Sequence, residues 1–341
     1  MNKFLRSGLV LCFAGLTFLT GCKEEQDETK PEEDVVVVKD DTPKVPTPDF
    51  SADSAYYFIQ KQVDFGPRVP NTPAHDSCRV WLVEQLERFN FSVIQQSGVV
   101  TTWDEQELNM TNIIGQFNKD AEERILLAAH WDTRPYADRD SVDQYKPIDG
   151  ANDGASGVGV LLEIARQISL KNPGYGVDII FFDAEDYGTF DGKVYQSVNQ
   201  MLNDWCLGSQ YWAKNQPIPN YDPKYGILLD MVGAKNATFP KEGVSMQYAA
   251  PKVTAIWNAA EALGYGSYFV KKLAGGITDD HTFVNNMAGI PMLDIIDMKV
   301  DNQYSSFGSF HHTHGDNMSI IDKNTLKAVG QTVLHVIYQK I

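Results

Sequence analysis

Cysteine is scarce in this chain. Four occur in 341 residues, and Cys12 and Cys22 both fall at the N-terminus, leaving Cys78 and Cys206 for the body. Two thiols cannot build a zinc-thiolate site. Their separation leaves open one disulfide or two free thiols. Positive charge is also short, with 29 Lys and Arg against 45 Asp and Glu and a net charge of −16. No basic excess exists to neutralise phosphates, which excludes nucleic-acid binding. The acidity reads first as solubility. No internal repeat divides the chain. What is present is ample material for a core: 43% hydrophobic residues and 11% aromatics. The length allows one large domain or two ordinary ones.

The apolar run at the N-terminus is short for a membrane span. In "MNKFLRSGLVLCFAGLTFLTGC" the basic Lys3 and Arg6 precede apolar residues to about Leu19, and polar sequence follows at once. This is the pattern of a secretory signal over residues 1–21. The ending Leu19-Thr20-Gly21-Cys22 resembles a bacterial lipoprotein box. That resemblance implies a lipid on Cys22, hence export and anchoring to the bacterial envelope, on the periplasmic face or the outer-membrane surface. The plainer alternative is an ordinary signal with a chance Cys. Residues 23–48 hold nine acids and four lysines with several prolines. Residues 22–48 therefore read as a lipidated, disordered acidic tether, and residues 49–341 as the folded part.

From Asp49 onward the pattern becomes globular. Residues 51–65 and 74–91 carry helix-spaced apolar residues, with Ser51 a candidate N-cap. "RILLAAH" (124–130), "VDIIFFD" (177–183), "YGILLDMV" (225–232) and "GIPMLDII" (289–296) are short apolar runs of the kind that form buried strands. Helical stretches at 159–168, 208–215, 251–264 and 323–339 lie between and after them. The alternation predicts a single α/β domain with a mostly parallel central sheet flanked by helices.

The polar residues fall at the ends of those runs. His130 and Asp132 end the first, Asp153 lies in "GANDGASG" before a helix, and Glu185 and Asp186 end the second. Asp230 lies near the end of the third, Asp279 and Asp280 precede the fourth, and His311 and His312 follow it. Ligands of parallel α/β sheets bind outside the carboxyl ends of the strands. At least five loops thus deliver acids or imidazoles to one edge. Each taken singly has a plainer reading: His130 a hydrogen-bonded core residue, "GANDGASG" a helix cap, Asp186 a solvated charge. A mixed His and carboxylate set without thiolates suits a catalytic zinc. A bound cation would also relieve the repulsion in "DAED" (183–186). His75 reads as loop surface, His281 as a packing or orienting residue, and His314 as an outer support of the site.

The motifs "AAHWDT", "GANDGASG", "FFDAED", "LLDMVG" and "FHHTHGDN" resemble, in order, those of the M28 zinc exopeptidases. In that superfamily's dizinc aminopeptidases, the resemblance implies ligands His130, Asp153, Asp186, Asp230 and His312, with Glu185 as general base. Within it, "LLDMVGAKNATFP", "CLGSQYWA" and "DDHTFVNNMAGIPMLDII" resemble the animal-type (type II) glutaminyl-peptide cyclotransferases over about residues 55–340. That resemblance implies one zinc on Asp153, Asp186 and His312, Glu185 as general acid and base, and Asp230 and Asp279 as a supporting carboxylate set. The implied substrates are peptides or proteins with N-terminal glutamine, converted to pyroglutamate with release of ammonia. Three positions depart from the animal pattern: Asp186 stands for Glu, His311 for a pocket Trp, and Thr278 for Gln. Thr278, His311 and Trp205 are the candidate substrate wall, with Trp131 the other candidate aromatic surface. The competing readings are a dizinc aminopeptidase, with His130 and Asp230 on the second metal, and a non-catalytic binding domain on a peptidase fold.

Overall fold

The computed structural model describes residues 45–190, 204–301 and 304–341. The signal, Cys22 and most of the acidic tether lie outside the described residues. Helices α1 (Ala52–Asp64) and α2 (Pro73–Arg88) lead into a hairpin of β1 (Ser92–Thr101) and β2 (Glu107–Phe117). Then come β3 (Arg124–His130), α3 (Ala155–Leu170), β4 (Gly176–Phe182), α4 (Leu207–Lys214) and β5 (Gly226–Asp230). β6 (Phe239–Lys241), α5 (Gly243–Ala262), β7 (Phe269–Leu273), the single turn α6 (Asp280–Phe283) and β8 (Met292–Ile296) follow. A short ribbon, β9 (Lys299–Asp301) with β10 (Tyr304–Ser306), and the last helix α7 (Lys323–Gln339) complete the chain.

The main sheet has the order β1-β2-β4-β3-β5-β8. β4, β3, β5 and β8 are mutually parallel, and the β1–β2 hairpin joins them antiparallel through β2 on β4. The four parallel strands are buried along their whole length because both faces are covered. Alternation assigns the faces. Ile125, Leu127 and Ala129 enter the larger core, with Phe58, Leu161, Trp257 and Val333 from the helices. Leu126 and Ala128 enter the smaller one, with Phe182, Trp212 and Tyr221. Each such aliphatic side chain contributes about 1.5–3 kcal/mol on burial.

Two glycines bring helices onto the functional edge. A Cβ on Gly157 would stand 2.1 Å from Leu229 O. Only glycine therefore lets the first turn of α3 touch the end of β5, which brings Asp153 beside Asp230. A Cβ on Gly208 would stand 2.0 Å from Asp183 O, so α4 is seated directly on the acidic turn after β4.

The hairpin is the longest piece absent from the sequence reading, which also lacked the short β6, β7, α6, β9 and β10. β1 is an edge strand whose residues are largely exposed, so its apolar signal is weak. α5 begins eight residues before its expected start, capped by Glu242 and bent near Ala249 ahead of Pro251. At the other end, Gln339 Nε2 donates to Thr47 Oγ1 (3.2 Å) and Gln331 Nε2 to Pro48 O (3.0 Å). The chain thus already lies against α7 before the expected start of the domain at Asp49. Among the described residues, no helix is long and apolar enough to cross a membrane.

Candidate active site

The acidic turn after β4 is held from below. Asp183 accepts hydrogen bonds from Thr111 N (2.6 Å) and Ala184 N (2.8 Å), and its Oδ1 lies 2.8 Å from His75 Nε2. Asp132 accepts from both Glu185 N and Asp186 N at 3.1 Å. Ala184 takes a left-handed conformation (φ 52°), which turns the chain sharply enough to send Glu185 and Asp186 in different directions. His75 is therefore no loop residue: it is buried in α2, paired with Asp183 and stacked on Trp131 at 4.1 Å. A partner 108 residues away leaves no local mark on the sequence. Trp131 is fully buried in that stack and is not part of the cavity wall.

Asp186 points toward His312, with 3.2 Å between its Oδ1 and His312 Nε2. Its Oδ2 is buried with no hydrogen-bond partner among the described residues. His312 Nε2 lies 4.0 Å from Asp153 Oδ2, and His312 Nδ1 faces Asp138 Oδ1 at 3.6 Å. Two ligands of a tetrahedral zinc, each about 2 Å from the ion, stand ~3.3 Å apart. Asp186 and His312 stand at that spacing and Asp153 lies farther from His312, while Asp153, His311 and His312 form a trio close enough to hold an ion; Asp138 stands where a ligating imidazole's other nitrogen commonly finds its carboxylate. Burial and the nearby Arg134 push His312 down to about 3, so its ring is neutral, the form that ligates. His312 itself has φ 58°, a strained conformation for a non-glycine residue.

The adjacent His311 is built for another task. Arg139 Nη1 donates to His311 Nδ1 at 2.7 Å. Because arginine can only donate, Nδ1 is an acceptor and Nε2 carries the proton of the neutral ring. His311 is thus unsuited to ligate through Nε2. Its ring stacks on His312 (3.7 Å) and lies tilted against Phe307 (4.5 Å).

His130 lies beneath the cavity, 1% exposed. Its Nε2 is 3.1 Å from Asp153 Oδ1 and 3.2 Å from Asp230 Oδ1. Burial opposes its charge, but the surrounding carboxylates of Asp132, Asp153 and Asp230 prevail and push it well above an ordinary histidine. Asp153 therefore presents one oxygen to His130 and the other toward His312. Its backbone N–H and that of Asn152 are held by Asp316 at 2.9 and 2.7 Å.

The acids on the far wall crowd one another. Burial, with repulsion from Asp153, pushes Asp230 up to about 7. Burial raises Glu185 well above an ordinary glutamate, and repulsion from Asp186 and Asp279 adds to it. Asp279 is raised by burial, and behind it Asp294 is raised by burial and by Asp279. Asp294, on β8, is the buried carboxylate behind Asp279, and neither of its oxygens has a hydrogen-bond partner among the described residues. An Asp facing the core from an otherwise aliphatic strand was the available signal for it.

A cavity of about 400 Å³ joins these groups. Asp153, Glu185, Asp186, Trp205, Asp230, Thr278, Asp279, His311 and His312 all line it. Trp205 lies parallel to the His312 ring (6.1 Å), and the Arg134 guanidinium lies over the Trp205 ring at 4.9 Å. Arg134 also pairs with Asp138 and donates to Thr189 O. These two residues sit four apart in "TRPYAD", a spacing visible in the sequence. His281 pairs with Glu242 at 3.1 Å, an orienting role as expected. His314 instead ties to Asp140 at 3.0 Å, on the loop that carries Arg139.

An α/β domain with carboxylates and imidazoles gathered at the carboxyl ends of its parallel strands defines the zinc-exopeptidase class. The chain belongs to peptidase family M28, whose model matches residues 112–337. It is similar to a glutaminyl cyclase of Tannerella forsythia: 52% identity, TM-score 0.81, covering 85% of this chain and 99% of that one. It is equally similar to a Zn-dependent exopeptidase of Parabacteroides distasonis, with 52% identity, TM-score 0.81, and 86% and 99% coverage. Among curated proteins, the bovine glutaminyl-peptide cyclotransferase is 25% identical over 283 residues, covering 76% of this chain and 74% of its own.

Proposed function

We propose that this protein is a zinc-dependent glutaminyl-peptide cyclotransferase that closes N-terminal glutamine of peptides or proteins to pyroglutamate. The observation that carries the reading is the division of the acidic pair. Both line the cavity, but Asp186 faces His312, whereas Glu185, one residue earlier, lies against Cys206 and meets repulsion from Asp279. The similarity to named glutaminyl cyclases supports it over the whole domain.

Asp153, Asp186 and His312 would hold one divalent cation, assigned as zinc. When bound, it polarises the γ-carbonyl of the glutamine. Trp205, Thr278 and His311 wall the substrate side chain and fold it so that the α-nitrogen meets the γ-carbon. Asp230 and Asp279 receive the α-amine. As the α-nitrogen to γ-carbon bond forms and the γ-carbon to amide-nitrogen bond breaks, Glu185 takes the amine proton and passes it to the departing ammonia. A raised glutamate suits both halves of that transfer.

The aminopeptidase reading keeps one specific support, the His130, Asp153 and Asp230 trio, which could hold a second ion. The 3.1 and 3.2 Å from His130 to these acids suit a hydrogen bond and a shared ion alike, so the reaction product decides between the readings. Incubation with a glutamine-initiated peptide separates the two. The cyclase gives an intact peptide lighter by one ammonia; release of the free first residue would reject it for the peptidase. Neither product, with metal bound, would favour a binding domain.

We also propose that the mature protein is carried on the bacterial envelope by lipid on Cys22, following removal of residues 1–21. Fatty-acid labelling of the wild-type chain tests this; label persisting in Cys22→Ala would refute it.

A further inference from the structure

Cys206 enters none of the roles described so far, although it meets the reacting acid directly. Its Sγ lies 3.1 Å from Glu185 Oε1. Its backbone N–H donates to Glu185 O at 3.0 Å, and the next N–H, of Leu207, donates to Ala184 O at 3.0 Å. With Gly208 pressed on Asp183 O, the start of α4 is fastened to the acidic turn at three successive residues. Cys206 takes a left-handed conformation (φ 55°, ψ 40°) and makes no side-chain cap to its own helix. Its side chain is thereby turned from the helix N-terminus to the carboxylate. The thiol is fully buried and free of any disulfide. Burial, with Glu185 next, pushes it well above an ordinary cysteine, so it remains S–H.

We infer that Cys206 is a positioning residue: its S–H donates to Glu185 Oε1 and fixes the rotamer in which the Glu185 carboxylate meets the reacting nitrogen. Glu185 Oε2 faces inward, 3.8 Å from His130 Nδ1, while Oε1 is the oxygen the thiol holds. A thiol suits this place because it is a weak donor of small volume. It orients the carboxylate while withdrawing little of its capacity to accept a proton. The inference rests on the cyclase reading for the role of Glu185, though not for the contact itself.

Two variants test it, each compared with the wild type on a glutamine-initiated peptide. Cys206→Ala removes the donor and lowers kcat about tenfold with KM unchanged, the effect of one hydrogen bond at a reacting group. Cys206→Ser restores a donor and recovers kcat to within about threefold of wild type. A cysteine that only fills space predicts the opposite order, since a buried hydroxyl without need of a partner is worse than a methyl. Serine no better than alanine, or alanine equal to wild type, overturns the inference. The S–H stretch of the folded protein reads the contact independently of variant folding or of substrate. A band at the low wavenumber of a bonded thiol moves up in Glu185→Ala; a band that stays overturns it. Absence of wild-type turnover with that shift intact would reject the cyclase reading and leave the contact standing.

Discussion

Opposite ends of the same sheet bury acids in opposite ways. At the amino ends of the strands, Asp178 on β4 receives Arg124 Nε at 2.6 Å and Nη2 at 2.9 Å, and Tyr221 OH at 2.8 Å. The charge is matched by a forked guanidinium, and both oxygens are used. At the carboxyl ends, Asp153, Glu185, Asp186, Asp230 and Asp279 share one cavity. Asp186 Oδ2 and Asp279 Oδ2 have no partner among the described residues, and Glu185, Asp230 and Asp279 are all raised. Removing a carboxylate from water without compensation is costly. One end is complete as protein, while the other leaves carboxylate oxygens unpartnered among the described residues, as a site for a cation would.

The comparison is tested most strongly at Glu185. Glu185→Gln is expected to lower kcat about a thousandfold while metal content stays at the wild-type level. Retained activity would remove its assigned role. Asp186→Ala is expected to lose bound zinc, read by elemental analysis of the purified chain; full occupancy would mean that another residue is the ligand. At the complete end the effect moves to stability. Arg124→Ala strands a buried carboxylate and should cost about 3–5 kcal/mol in denaturant unfolding, with zinc content unchanged. Loss of zinc there would erase the distinction between the two ends.

The smallest effect concerns Glu242, a satisfied acid near the crowded wall. It accepts from Val244 N (2.8 Å), Ser245 N (2.7 Å) and Ile277 N (3.0 Å), and faces His281. Burial opposes its charge, but His281 and these N–H groups hold it at about 2, against an ordinary 4.5. A depressed carboxyl favours the folded state above its unfolded pKa, and that gain is lost as pH falls from 4.5 toward 2. Glu242→Gln should therefore lower stability by about 2 kcal/mol at neutral pH, with the gap narrowing across that acid window. A pH-independent gap would contradict the assignment.

The functional edge was largely legible because the fold enforces it. Buried parallel strands must be apolar along their length, so an acid or imidazole at a strand's carboxyl end stands out, as His130, Glu185 and Asp230 do. What organises those residues was not legible. Asp316 under Asp153 and His75 under Asp183 act through partners more than 100 residues away, which no local spacing reports. β1 escaped because an exposed edge strand needs no strong apolar alternation, and β2 because the buried polar Thr111 and Asn112 interrupt its apolar run. Trp131 was misplaced for a related reason: an aromatic next to a site can face the core as readily as the cavity. Cys206 carried only the sign of scarcity.

The central claim is that a bound divalent cation completes the carboxyl end of the sheet and that the completed site cyclises glutamine. Metal content and ammonia release from a glutamine-initiated peptide, measured on the same purified chain before and after chelation and again after zinc is restored, test it most directly. One zinc per chain is expected, with ammonia release lost on removal of the metal and regained when zinc returns. A chain free of divalent metal that releases ammonia at the undiminished rate would contradict it.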